Sequence, residues 1–357
     1  MSLLIDTTLK LRGYIESKIG GRAENQDSAG SMDTAIGTVV VVCDGMGGMN
    51  GGQTASLLAV KTIIDDVSEA EKGDDPEDVL RNAFLHAQQV IIDAAARDPS
   101  LNGMGTTATA IIISKHAATV AHLGDSRIYQ LRNRKKVFRT NDHSAVFQLV
   151  ASGTLTEEQA RLSAHSNIIL KALGVDGDAS PDVVTLPYLK GDRFVLCTDG
   201  FWGAFPESEF ISLITRRGNL KNVLWATART IDNAGKDAGG GHDNLTAAVI
   251  DVDSESILKT PMSKQMKLTL LCILAVLVGS ICMNVVSAVR LKDTKKILTA
   301  VENAIKEPTK YKDKDALILS LTGILKPETS GESQNAGEQG HNTNDQSGEN
   351  ANKSGDK

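Results

Sequence analysis

Cysteine is scarce in this sequence. Its 357 residues include four, Cys43, Cys197, Cys272 and Cys282. That is too few for a disulfide framework, and none has the Cys-x-x-Cys spacing of a thiolate metal site. A reducing compartment suits such a chain. An excess of one charge is also missing: 38 basic residues against 44 acidic ones leave a net charge of −6, with the signs mixed. No nucleic-acid partner is therefore expected on electrostatic grounds. No secretory leader is expected either, because the first apolar cluster, Leu3, Leu4 and Ile5, is short and runs into Asp6 and Lys10. No internal repeat of solenoid period is visible.

One long uncharged run is present. Residues 268–289 carry no charged side chain, with Lys264 and Lys267 before them and Arg290 and Lys292 after. As a helix this run reaches ~33 Å, enough to cross a hydrocarbon core of about 30 Å. The competing reading is a buried core helix, but nothing nearby could cover it on all sides. We expect one membrane-spanning helix here.

Upstream, residues 1–253 alternate apolar strands with amphipathic helices, cut by glycine turns. Residues 38–43 form a β-branched run that ends at Asp44, the pattern of a buried strand. Helical apolar spacing follows at 53–67 and again at 77–96, the second opened by Pro76. Paired strands are expected at 107–114 and 118–123, a hairpin around 132–135, helices at 145–151 and 167–173, and strands at 193–197 and 245–252. The pattern argues for sheets sandwiched by helices.

Aspartates recur at the ends of these strands, beside glycine: Asp44-Gly45, Gly124-Asp125 and Asp199-Gly200. Asp243 follows three glycines and His242, and Asp27 closes the run Arg22-Ala23-Glu24-Asn25-Gln26-Asp27. Each one alone reads most simply as a turn former. Five at strand ends read differently, because strand ends converge and clustered carboxylates repel unless cations neutralise them. Hard divalent ions such as Mg²⁺ or Mn²⁺ take such oxygen ligands, and a pair of them can activate water toward a phosphorus atom. The pattern by itself leaves the reaction class open.

Seven motifs narrow it. They are Arg22-x-x-Asn25-Gln26-Asp27, Asp44-Gly45-Met46-Gly47-Gly48, Gly103-Met104-Gly105-Thr106-Thr107, Gly124-Asp125-Ser126-Arg127, Asn141-Asp142-His143-Ser144, Thr198-Asp199-Gly200 and His242-Asp243-Asn244. In this order they resemble the metal-dependent protein phosphatases (protein phosphatase type 2C), in a bacterial-type form, over roughly residues 12–252. The resemblance implies an α+β fold, an αββα sandwich of two antiparallel sheets flanked by helix pairs. It also implies hydrolysis of phosphoserine and phosphothreonine on proteins by water activated at a binuclear Mn²⁺ or Mg²⁺ centre. Carried over by position, Asp44 bridges two metals and the Gly45 carbonyl binds one. Asp27, Asp199 and Asp243 complete the pair, Asp125 serves a weaker third ion, and Arg22 grips the substrate phosphate, a task suited to a forked guanidinium.

Three positions depart from the family. Met46 stands where many relatives carry a histidine thought to protonate the leaving alkoxide, Gln26 replaces an acidic residue of eukaryotic members, and Lys171 replaces a frequent arginine. Residues 144–166 resemble the family's flap. Thr106, Thr107, Ser126, Arg127, Asp142, His143 and His242 read as structural supports, and 132–136 as a solvated basic hairpin face. The expected division is a phosphatase domain at 1–253, a polar linker at 254–267, a spanning helix at 268–289, a partly helical segment at 290–326 and a disordered polar tail at 327–357. Basic residues after the span favour a cytoplasmic tail, but a large domain acting on cytoplasmic phosphoproteins outweighs them and is itself expected in the cytoplasm. The alternative is a membrane-anchored, phosphatase-like sensor without turnover.

Overall fold

The computed structural model of the protein describes residues 2–47, 51–165 and 167–258, with scattered helical positions between Val276 and Glu302. Met1–Pro261 forms one compact unit. The expected spanning helix, the segment 290–326 and the tail lie outside the described residues apart from those scattered positions. Among the described residues no helix is long and apolar enough to cross a membrane.

Two antiparallel sheets build the unit. The first joins β1 (Ser2–Ile5), β2 (Leu11–Lys18), β8 (Arg127–Arg132), β9 (Lys135–Arg139), β11 (Arg193–Cys197) and β12 (Leu245–Val252), in the order β1-β2-β12-β11-β8-β9. The second joins β3 (Asp27–Thr34), β4 (Gly37–Met46), β5 (Gly105–Thr106), β6 (Ala108–Ile113), β7 (Ala118–Leu123) and β10 (Asp182–Leu186), in the order β10-β7-β6-β4-β3 with β5 on β4. Helices α1 (Gly51–Glu69) and α2 (Pro76–Arg97) cover the second sheet. Outside the first lie α5 (Asp199–Trp202), α6 (Glu207–Ile214) and α7 (Leu220–Asp237). Two short helices, α3 (Ala145–Ala151) and α4 (Glu157–Arg161), occupy the flap.

Alternation along the strands assigns the three apolar layers. Val39, Val41 and Cys43 of β4 pack with α1 and α2, while Val40 and Val42 face the other sheet. On β12, Leu245, Ala247 and Val249 meet α6 and α7, and Ala248, Ile250 and Val252 point inward. Both faces are therefore dry, which explains why these strands read as unbroken apolar runs rather than as alternating ones. The expected αββα layering is present in these residues.

Three local expectations need correction. Residues 167–173 are not a helix. The segment is extended, with Ile169 bridging Ser144 and Leu173 bridging Thr106; the Thr106 and Leu173 backbones exchange N–H···O bonds of 2.9 Å in both directions. Tertiary backbone pairing overrides the apolar spacing, and in the extended segment Ile168 and Leu170 are about half exposed. Conversely, α7 was not singled out, although Leu220, Val223, Leu224, Thr227, Ala228 and Ile231 form its buried stripe at helical spacing. The linker expected from residue 254 remains docked as far as Leu258: the Ser256 N–H donates to the Tyr188 carbonyl at 3.0 Å and the Leu258 N–H to His116 at 2.8 Å.

The β8–β9 hairpin turns through Asn133 and Arg134, with φ of 51° and 63°, the mirror-image turn that matches strand twist. Arginine at the second position carries a Cβ in a left-handed conformation. Arg134→Gly is expected to raise the melting temperature by about 2–4 °C, as read by thermal unfolding.

Candidate active site

Sheet pairing makes the first contact of the site, because Asp27 on β3 is the register partner of Asp44 on β4. Asp125 lies in the turn between β7 and β8, Asp199 opens α5 directly after β11, and Asp243 lies just ahead of β12. These strands come from both sheets, so the acids gather at one mouth of the sandwich. A cavity of about 460 Å³ there is lined by Arg22, Asp44, Gly45, Asp125, Asp199 and Asp243. Asp27 stands behind the lining and accepts the Thr198 hydroxyl at 3.0 Å. Asn167 and Ile169, from the extended segment that replaced the expected helix, form part of the rim.

The electrostatics are unfavourable to the bare protein. Asp27 Oδ1, Asp125 Oδ1 and Asp199 Oδ1 are buried without a hydrogen-bond partner, a costly state for a polar atom. Burial, and then the charge of Asp199, pushes the Asp27 carboxyl up to about 7. Asp44 and Asp125 are driven well above the usual carboxylate range by burial, reinforced by Asp27 and Asp199 respectively. Burial and Asp243 raise Asp199 as well. Orphaned, hard oxygen donors that resist ionising together fit divalent cations of the Mg²⁺ or Mn²⁺ type. A tighter set, with three possible ligand atoms within 4.8 Å of one another, lies elsewhere, at His122, His143 and Asp182; the aspartates ring a cavity instead.

Neighbouring groups hold the ring open. A Cβ at Gly45 would lie 2.0 Å from the Gly52 carbonyl oxygen, and one at Gly200 2.1 Å from that of Asn244, so only glycine permits these approaches. The Asp44 backbone donates to the Thr107 hydroxyl at 3.0 Å and accepts the Thr107 N–H at 2.8 Å. Asn244 accepts the Gln26 N–H at 2.8 Å and donates to the carbonyls of Ile19 and Glu24 at 2.8 and 2.9 Å, tying the Arg22 loop to the Asp243 loop. Arg127 grips Asp142 with two bonds of 2.8 and 2.6 Å, and its guanidinium lies 3.3 Å from the ring centre of Trp202. The Trp202 indole N–H donates to the Asp125 carbonyl at 3.0 Å. One buried ion pair and one indole thus join the Asp125 turn to the helix that presents Asp199. The supporting roles of Trp202 and Asn244 were not foreseen from the sequence; an indole three residues after Asp199 was the available signal.

Arg22 bonds Asp243 Oδ2 at 2.8 Å and is about half exposed. It therefore stands at the cavity with its charge oriented by one of the acids. Met46 also lines the cavity, and a thioether has no proton to give.

Fold and site together define a metal-dependent hydrolase. The chain belongs to the protein phosphatase 2C family, whose model matches residues 16–238. It is 32% identical over 239 residues to the serine/threonine phosphatase stp of Listeria monocytogenes, covering 65% of this chain and 92% of the relative. It is likewise 32% identical over 238 residues to the protein phosphatase PhpP of Streptococcus pneumoniae, covering 66% and 94%. Among solved structures, the S. agalactiae serine/threonine phosphatase superposes with a TM-score of 0.61 at 28% identity, covering 68% of this chain and 99% of that one. The catalytic domain of the serine/threonine protein phosphatase PstP, solved with two manganese ions, superposes with a TM-score of 0.57 at 29% identity, over 68% and 99%.

Raised carboxyl pKa values link stability to pH. Between the ordinary value of 3.8 and about 7, native Asp27 keeps a proton that the unfolded chain has lost. The cation-free protein therefore loses stability as pH rises through that window. Cations replace the proton, so the melting temperature in Mn²⁺ minus that in chelator is expected to widen by several degrees from pH 5 to pH 8. Asp27→Asn is expected to shrink that widening in the same thermal scans.

Proposed function

We infer that the chain is a protein serine/threonine phosphatase whose aspartate ring holds its catalytic metals. One observation carries the reading: buried carboxylates with orphaned oxygens share a cavity with an arginine. Asp44, with the Gly45 carbonyl, Asp27, Asp199 and Asp243, holds two Mn²⁺ or Mg²⁺ ions, and Asp125 contributes to a weaker third position. When bound, such ions activate water and offset the charge of the phosphoryl group. Arg22, braced by Asp243, binds phosphate oxygens of the substrate and aligns the phosphorus for in-line attack. Thr107, Thr198 and Asn244 keep the acids in register. Met46 supplies no general acid, so the leaving serine or threonine oxygen takes its proton from solvent in the cavity. The sensor reading without turnover has no observation in its favour, since the whole acid set and Arg22 are in place.

The substrates are phosphorylated proteins, the products of a serine/threonine kinase. Residues 268–289, uncharged and flanked by lysines and arginine, tether the phosphatase to a membrane as a single span with the catalytic domain in the cytoplasm. The support is the length and composition of that run.

Two measurements test these readings. On a phosphothreonine peptide with Mn²⁺, Asp199→Asn is expected to lower kcat more than ~100-fold, a larger loss than removing a hydrogen bond to a metal-holding side chain gives. Arg22→Ala is expected to raise KM about 10- to 100-fold, the worth of a charge-assisted hydrogen bond. If Asp199→Asn keeps full turnover, the metal assignment fails. For the tether, the full chain is expected to stay with the membrane pellet after alkaline carbonate washing, and release into the supernatant would refute it.

A further inference from the structure

A second cavity, of about 420 Å³, lies beside β7 and the edge strands β9 and β10; Phe138, Val120 and Val184 line it, together with His122 and Asp182. His122 lies on β7, directly opposite Asp182 in register. Its Nε2 is 2.9 Å from the Gly124 carbonyl. A carbonyl only accepts, so the ring proton is on Nε2 and the lone pair is on Nδ1. That Nδ1 is buried and has no partner, in a ring only 1% exposed. Burial, and then the neighbouring His143, lowers the His122 pKa to about 3, so the ring is neutral in solution near pH 7.

His143 comes from the Asn141-Asp142-His143-Ser144 motif and stacks beside His122 with ring centres 4.4 Å apart. Its Nδ1 accepts the Gly124 N–H at 3.2 Å, and its Nε2 is 3.2 Å from Asp182 Oδ2. One ligand atom from each of His122, His143 and Asp182 lies within 4.8 Å of the others. Metal-bound histidines usually give their other ring N–H to a carbonyl, which is the arrangement His122 shows. Two imidazoles and a carboxylate, with room left on the solvent side, form the ligand set of zinc-type ions rather than of Mg²⁺.

We propose that His122, His143 and Asp182 form a second cation site, separate from the aspartate ring and selective for Zn²⁺, Co²⁺ or a similar borderline ion. Loading leaves the proton count of His143 unchanged. Its ring proton moves from Nε2, which takes the ion, to Nδ1, and the Gly124 N–H loses its acceptor. Because Gly124 precedes Asp125, occupancy is felt in the loop that carries that acid.

Co²⁺ titration of the full-length, metal-stripped protein in excess Mg²⁺ tests the site, with Mg²⁺ filling the oxygen ligands. Wild type is expected to develop the visible d–d bands of four-coordinate Co²⁺, saturating at one equivalent and erased by Zn²⁺. His122→Leu is expected to abolish the bands, and Asp182→Ala, at an exposed position, to weaken Co²⁺ binding at least tenfold. Circular dichroism and thermal melts check that both variants fold; if His122→Leu does not, Asp182→Ala decides alone. Only the weak six-coordinate spectrum in wild type, or bands unchanged in Asp182→Ala, would overturn the proposal.

Discussion

Like charges that cannot disperse are the constraint on which this structure turns. Asp27, Asp44, Asp125 and Asp199 are buried or line the cavity, and the pKa of each is raised by burial and then by at least one other acid of the ring. Without counter-charge the ring can be neutral or strained but not fully ionised. Divalent ions held there, as proposed, would turn the same repulsion into binding energy, because the orphaned oxygens of Asp27, Asp125 and Asp199 would each gain a partner. The protein carries its electrostatic strain in the place where its chemistry needs strong ligands.

That strain is contained by a dry scaffold. The sandwich buries apolar side chains on both faces of β4, β11 and β12, so the strand ends cannot splay apart to relieve the acids. Polar clamps finish the job locally. Arg127, Asp142 and Trp202 lock the Asp125 turn to α5, and Asn244 joins the loops of Arg22 and Asp243. Gln130 and Arg132 reach the fully buried Asp192 at 2.8 and 2.6 Å, a reminder that not every buried aspartate here belongs to the site. Asp192 is paired. Asp27, Asp125 and Asp199 each hold an unpaired oxygen, and that difference sets them apart from a structural aspartate.

Much of this was legible in order along the chain. The apolar runs ending in Asp44 and Asp199 announced buried strands with acids at their tips, and the repeated Asp-Gly pairing marked close backbone approach. The helix at α2 and the hairpin at β8–β9 also followed from local pattern, through Pro76 and through the apolar residues Tyr129, Leu131, Val137 and Phe138 on either side of 132–135. The segment 167–173 misled, because local spacing is silent about a backbone partner far back along the chain, Thr106 for Leu173. The stripe of α7 was readable but passed over. His122 drew no notice at all: a lone histidine in an apolar strand carries no signal until Gly124, His143 and Asp182 are placed around it.

The sequence by itself determined which residues are acids, which are glycines, and that several of the acids would sit at strand ends, since propensity and apolar periodicity act over a few residues. The motif series also settled the family. Only the tertiary structure decided which oxygens are left without partners, that Trp202 bridges Asp125 to α5, and that a strand histidine and a loop histidine share one glycine. Those facts depend on contacts between separate elements, where burial and geometry, rather than local preference, set the free energy.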